Sequence, residues 1–154
     1  MKTKYFICLI ISLIVSACGG NPAEGFFEAT QRTLLRDTPF EVPANEWVVI
    51  GRIFFDDSGA ARNQRFTGSV TSESPLELLI LNQQEFTDFE ADRPSGSTFS
   101  SGLSENITFD LPVEPEGYQF VIDNRSLTTP VNITATIVLE QEEIIDPNIL
   151  DVPL

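Results

Sequence analysis

The feature that most constrains the fold is a strict period-two alternation that recurs along the chain. Val131, Ile133, Ala135, Ile137 and Leu139 alternate with Asn132, Thr134 and Thr136. Tyr118, Phe120 and Ile122 alternate with Gln119, Val121 and Asp123, and Ile107, Phe109 and Leu111 with Thr108 and Asp110. Phe66, Gly68 and Val70 do the same against Thr67, Ser69 and Thr71. Successive strand side chains point to opposite faces, so such runs suit sheets with one face on a core and one in water. Strands do not alternate with long helical patterns, which disfavours a parallel α/β sheet.

Other stretches complete the pattern. Trp47, Val49, Ile53 and Phe55 fall on one face of a strand, with Val48, Ile50 and Phe54 on the other; both faces are apolar, so this strand is expected in the centre. Leu76 to Leu81 is a short apolar strand after Pro75. Thr38 to Val42 reads as an extended edge, because Pro39 and the following Pro43 cannot donate to a ladder. Phe26 to Arg36 fits either a short helix or the lead-in to a first strand. Asp56 to Gly59 is a turn. Phe86 and Phe89, three apart within Gln83 to Glu90, share one side of a short helical turn. Arg93 to Glu105 is rich in serine and glycine and reads as a loop with a weak strand at Phe99. The expected fold is all-β: an antiparallel, jelly-roll-like β-sandwich of seven to eight strands with one short helical turn.

The N-terminus carries a different signal. Lys2 and Lys4, the only lysines, precede an apolar run from Tyr5 to Val15 that is short for a bilayer span. Small residues Ser16 and Ala17 then lead to Cys18. Val15-Ser16-Ala17-Cys18 resembles the lipobox of bacterial lipoproteins. The resemblance implies export, cleavage before Cys18, and a diacylglycerol on its thiol. Each buried methylene of such a chain adds about 0.8 kcal/mol of membrane affinity. Gly19 stands where the family's inner-membrane retention signal has aspartate, which implies an outer-membrane or cell-surface address. The chain then divides into a signal peptide (1–17), a lipidated N-terminus and tether (18–29), a sandwich domain (30–140) and an acidic C-terminal tail (141–154).

From Cys18 onward, seven arginines face 23 acidic residues, a formal charge of −16. A surface of that sign repels phosphates, so nucleic acid is not expected as a partner. Cys8 leaves with the signal and Cys18 is the lipid site, so no disulfide supports the domain and its apolar core must.

Catalytic options are narrow. The chain has no histidine, which removes histidine triads and the usual zinc sites. No lysine or free cysteine follows Cys18, so Schiff-base and thiol nucleophiles are absent. A glycosidase-like pair of carboxylates, roughly 5 to 10 Å apart, is the one enzymatic arrangement left open. Calcium is the metal best suited to the composition, but Asp56 with Asp57, or Glu90 with Asp92, lack the spacing of a calcium loop. The expectation is no catalytic residue, no cofactor and no resident metal. Trp47 is expected in the core. Asn106, Asn124 and Asn132 head glycosylation-type sequons but read most simply as strand and turn residues.

Gly117 to Ser126, followed by the strand Val131 to Leu139, resembles the closing hairpin of small extracellular sandwiches such as the bacterial pre-peptidase C-terminal domain and the GOLD-type domain. Leu76 to Phe89, a strand followed by a phenylalanine-bearing turn, is similar to the same group, and the likeness extends over Phe40 to Glu140. It implies an accessory or interaction module with no shared catalytic residues. Three functions follow as expectations: a lipid-anchored, non-enzymatic module that binds an envelope protein or extracellular polysaccharide, a carboxylate-dependent hydrolase of glycan or peptidoglycan, and a structural envelope lipoprotein.

Overall fold

The computed structural model describes residues 26–55 and 61–145; the segment around Cys18 and the turn at Asp56 to Gly59 lie outside them. The chain forms β1 (Phe26–Val42), β2 (Trp47–Ile53), β3 (Ala61–Asn82), α1 (Gln83–Glu90), β4 (Phe99–Pro112), β5 (Tyr118–Asp123) and β6 (Val131–Ile145). The strands make one antiparallel sheet in the order β1-β6-β3-β5-β2, with β4 on the other side of β3.

The sheet curls into an all-β sandwich because β3 belongs to both layers. Its first part, Ala61 to Ser72, pairs with β6, whereas Glu77 to Asn82 pairs with β5. β4 follows both parts, with register shifts where β3 bends. Ser72 to Pro75 sits at the bend, where Ser72 Oγ donates to the Ser74 carbonyl at 2.7 Å and Pro75 has no donor to lose. The two runs expected as separate strands, Phe66 to Thr71 and Leu76 to Leu81, are therefore one strand, and the described residues form six strands rather than seven or eight.

The ends also differ from expectation. The ambiguous stretch from Phe26 is strand, and it pairs with the end of β6 from Phe26↔Ile145 to Val42↔Val131. Gln141 to Ile145, expected in a tail, is thus the last part of β6. The serine-rich stretch after Phe99 is the first half of β4, its weak alternation explained by an exposed edge.

Two apolar clusters hold the layers. Phe66, Val70, Leu78, Ile80, Phe120, Ile122, Ile133 and Ile137 lie between them, most of them fully buried. The second cluster, Leu79, Leu81, Val121 and Phe86, lies outside the β2-β3-β5 layer and under α1. There Trp47 packs edge-on to Phe86 and Phe89, with centroids at 6.0 and 5.3 Å. Trp47 is half-buried and belongs to this satellite cluster, not to the main core. Burial of each such aromatic contributes about 1.5–3 kcal/mol.

The helix forms over the residues expected for it. Asn82 is its N-cap: its side chain accepts from Glu85 N at 2.9 Å, and Glu85 Oε2 accepts from Asn82 N at 2.8 Å. This reciprocal arrangement satisfies two donors that a helix start leaves free.

Candidate functional site

The register gives the sandwich two distinct ends. Phe26, Ile145, Ala61, Ile53 and Tyr118 fall at one end, and Val42, Val131, Ser72, Trp47 and Asp123 at the other. The first end, where β1 begins at Phe26, is the proximal one, and the other is the distal one. Strands rise about 3.3 Å per residue, so Pro39 to Glu41 stand about 43 to 50 Å along β1 from Phe26.

At the distal end a trough of about 550 Å³ crosses β1, β6 and β3 on the outside of the sandwich, lined by Pro39, Glu41, Thr71, Glu73, Asn132 and Thr134 with Phe40 and Ile133 at its floor. Pairing builds it directly. Pro39 faces Thr134 and Glu41 faces Asn132 across β1 and β6, and Thr134 faces Thr71 across β6 and β3. Alternation sends Val42, Val131 and Val70 into the core and leaves these polar neighbours outside. Ser72 is committed to the carbonyls of Ser74 and Glu105. Among the described residues, the side chains of Glu41, Thr71, Glu73, Asn132 and Thr134 make no hydrogen bond to another residue. The trough therefore presents hydroxyl, amide and carboxylate groups free to meet a ligand.

Two other concavities offer less to a ligand. A hollow of about 440 Å³ nearer the proximal end is lined by Ala29, Gln31, Asn63, Arg65, Glu140 and Glu142. Gln31 Nε2 donates to Glu140 at 2.7 Å, Asn63 Nδ2 to Glu142 at 3.0 Å, and Arg62 Nε to the same Glu142 oxygen at 2.9 Å. Arg65 pairs with Asp110. Between β1 and β2, which face one another without pairing, a smaller cleft of about 220 Å³ is bounded by Arg32 to Leu35 and by Gly51 and Arg52. Its floor, Phe120 and Ile137, is fully buried, so no ligand-sized space reaches the core there.

The carboxylates singled out from the sequence take other parts. Asp92 lies 3.7 Å from Arg125 Nη1, and Arg125 also makes a fork with Asp123 at 2.7–3.0 Å and stacks on Phe89 at 4.7 Å. Asp123 holds the guanidinium above its ordinary pKa, with Asp92 and Glu77 adding smaller effects. Asp88 accepts from Gln84 at 3.0 Å and pairs with Arg93 at 2.5 Å; the Gln84 hydrogen bond and the Arg93 charge keep its carboxyl below the usual range. Among the described residues, no three Asp, Glu, His or Cys side chains converge as a metal-binding group. Asp110 is an outward-facing partner of Arg65. Asp56, Asp57 and Cys18 are outside the described residues.

Of the three sequon asparagines, Asn106 and Asn132 are exposed strand residues and Asn124 is fully buried. No protein-family model matches the chain, and no curated protein is significantly similar to it.

Proposed function

We propose that this chain is a lipid-anchored, non-enzymatic binding module of the cell envelope, tethered through Cys18 at the outer membrane or cell surface. The Val15-Ser16-Ala17-Cys18 sequence supports the anchor. The observation that carries the binding role is the trough of Glu41, Thr71, Glu73, Asn132 and Thr134, whose polar groups have no hydrogen-bond partner among the described residues and which stands at the end of β1 remote from Phe26. Its short hydroxyl and amide side chains suit a hydroxyl-rich polymer, and its two glutamates favour a neutral or amine-bearing one over an anionic one. The open, shallow form fits a strand of polysaccharide lying across the sheet better than a small molecule enclosed by protein.

Two measurements test the two halves. Cells fed a fatty-acid analogue should label the native protein and not Cys18→Ala; equal labelling rejects Cys18 as the anchor. Purified envelope polysaccharide immobilised on beads should retain the native protein and lose Thr71→Arg, which fills the trough from an exposed position. Equal retention of the variant rejects the trough, and no retention of either rejects a polysaccharide ligand.

A further inference from the structure

The proximal end carries apolar side chains that the fold does not use. Phe54, just after β2, is 67 % exposed, and Ile144, near the end of β6, is 47 % exposed. Phe54 lies over Gly117, where a Cβ would stand 2.9 Å from its ring, so the backbone before β5 backs the ring. Ile144 is paired across the ribbon with Phe27, and Arg62 stacks on Phe27 at 3.4 Å. Phe54, Gln141 and Glu143 line one mouth of the sandwich, and Ile144 follows Glu143 on β6 opposite Phe27, so the two apolar sites share the end at which β1 begins. Leu103, the third large exposed apolar residue among those described, is alone on β4.

Chain length limits what can lie opposite this end. From Cys18 to Phe26 there are eight residue steps, which at full extension span no more than about 29 Å. A lipid on Cys18 therefore holds the start of β1 within about 29 Å of a bilayer surface, so Phe54 and Ile144 meet that surface at a local concentration no soluble partner matches. Aromatic and aliphatic side chains at such a position partition into the interface between head groups and acyl chains. The surrounding charge selects the lipid. Glu28, Glu114 and Glu143 are exposed around the same end against the single exposed Arg32 at the same mouth, whereas Arg62 and Arg65 are already paired with Glu142 and Asp110. Such a surface is repelled by anionic head groups and not by zwitterionic ones.

We infer that the proximal end of the sandwich, through Phe54 and Ile144, docks directly on the zwitterionic bilayer surface that holds the lipid anchor, so that the domain stands upright with its trough outward. This rests on the proposed anchoring at Cys18. It adds an orientation that the tether alone does not impose.

The test uses the full lipidated protein on vesicles of phosphatidylcholine brominated along the acyl chains. In the native protein Trp47, the sole tryptophan, reports the distal half, and its emission is expected to be unaffected by bromine. Phe54→Trp adds a reporter at the proximal end, and this variant is expected to lose emission and shift to shorter wavelength on the same vesicles. Replacing half the lipid with phosphatidylglycerol at low salt should weaken that quenching, and added salt should restore it. Protein that floats with the vesicles while the residue-54 reporter stays unquenched overturns the docking and leaves the anchor standing. Quenching of Trp47 equal to that of the new reporter overturns the upright orientation. Protein that fails to float with the vesicles overturns both the docking and the anchoring on which it rests.

Discussion

The side-chain amide of Asn124 donates to the carbonyl of Val42 at 3.3 Å, joining the turn after β5 to the end of β1 across 82 residues of sequence. The same nitrogen reaches Pro43 O at 2.8 Å and Thr129 O at 3.1 Å, and Asn124 is fully buried. Pro43 ends the pairing of β1 with β6, and Thr129 precedes β6, so one amide closes the distal end of the sandwich where backbone carbonyls run out of ladder partners. Asn124→Ala leaves buried carbonyls without a donor and should cost about 2–3 kcal/mol. Asn124→Asp places a carboxylate against them and should cost more. Urea unfolding of the two variants measures the difference. Burial also means that the Asn124 sequon is closed to modification once the chain is folded.

Gly68 stands in the middle of β3 where no side chain fits. A Cβ there would collide with the Thr136 carbonyl oxygen and lie 2.6 Å from Phe109 Cζ. One obstacle is backbone and the other an aromatic ring that is 6 % exposed in the core, so neither yields easily. Gly68→Ala should destabilise by about 3 kcal/mol, mostly through strain at the β3–β4 and β3–β6 pairings. Gly96→Ala, where the nearest neighbour is Glu85 Oε1 at 3.8 Å, is the matched control and should change stability by less than about 0.5 kcal/mol. Equal thermal shifts for the two variants would show that the close approach at Gly68 relaxes.

Much of this architecture is legible in the residues, and the exceptions have physical causes. The alternations of β5 and β6 mark their buried faces correctly, and Phe86 with Phe89 marks the helix. The apolar run of β2 misleads twice: the strand expected in the centre is the edge of the sheet, its outer face covered by α1, and a register shift between Val49 and Gly51 reverses its parity. Val48 and Ile50 face the main core before the shift, Ile53 and Phe55 after it, and Phe54 is thereby turned out to solvent. The shift is a property of the pairing with β5, which β2's own sequence does not contain. Ser72 to Pro75 resembles a turn between strands, yet β4 escorts both sides of it and makes it a bend within one strand. The trough escapes sequence reading for a related reason. Glu41, Thr71 and Asn132 lie on three strands far apart in the chain, and alternation marks each as outward without saying that register brings them together.

Glu85 couples the helix to the strand that follows it. Its Oε2 accepts from Asn82 N at 2.8 Å, from Thr98 N at 3.0 Å and from Thr98 Oγ1 at 2.8 Å. One carboxylate oxygen thus finishes the helix cap and fixes the entry to β4. Glu85→Ala removes all three bonds and should lower stability by about 1–2 kcal/mol, near the upper range for a cap, because Thr98 loses its partner as well. Hydrogen exchange should show the loss concentrated at Thr98 and in the first turn of α1, with β6 protected as before. A uniform increase in exchange over the whole domain would place the effect elsewhere.

Tyr118 gives the fold an alkaline limit. Its ring is buried between Phe66 and Phe55, with Phe66 at 5.4 Å, and its hydroxyl donates to Glu116 Oε1 at 3.1 Å. Burial is the main influence that pushes the phenol above its ordinary value of 10.0, with the Glu116 hydrogen bond and charge adding to it. The folded state therefore holds the phenolic proton more tightly than the unfolded chain. Stability from this source is complete below pH 10 and is lost as pH rises above it, because the unfolded state then releases a proton that the folded state retains. Tyr5 and Tyr118 are the only tyrosines, so in a chain beginning at Cys18 the phenolate absorbance reports Tyr118 alone. That absorbance should stay low through pH 11 and rise together with the loss of β-sheet circular dichroism, as one cooperative step. Tyr118→Phe should flatten the fall in stability between pH 10 and 11. An absorbance rise centred at pH 10 with the sheet signal intact would mean that the hydroxyl reaches water in the folded protein.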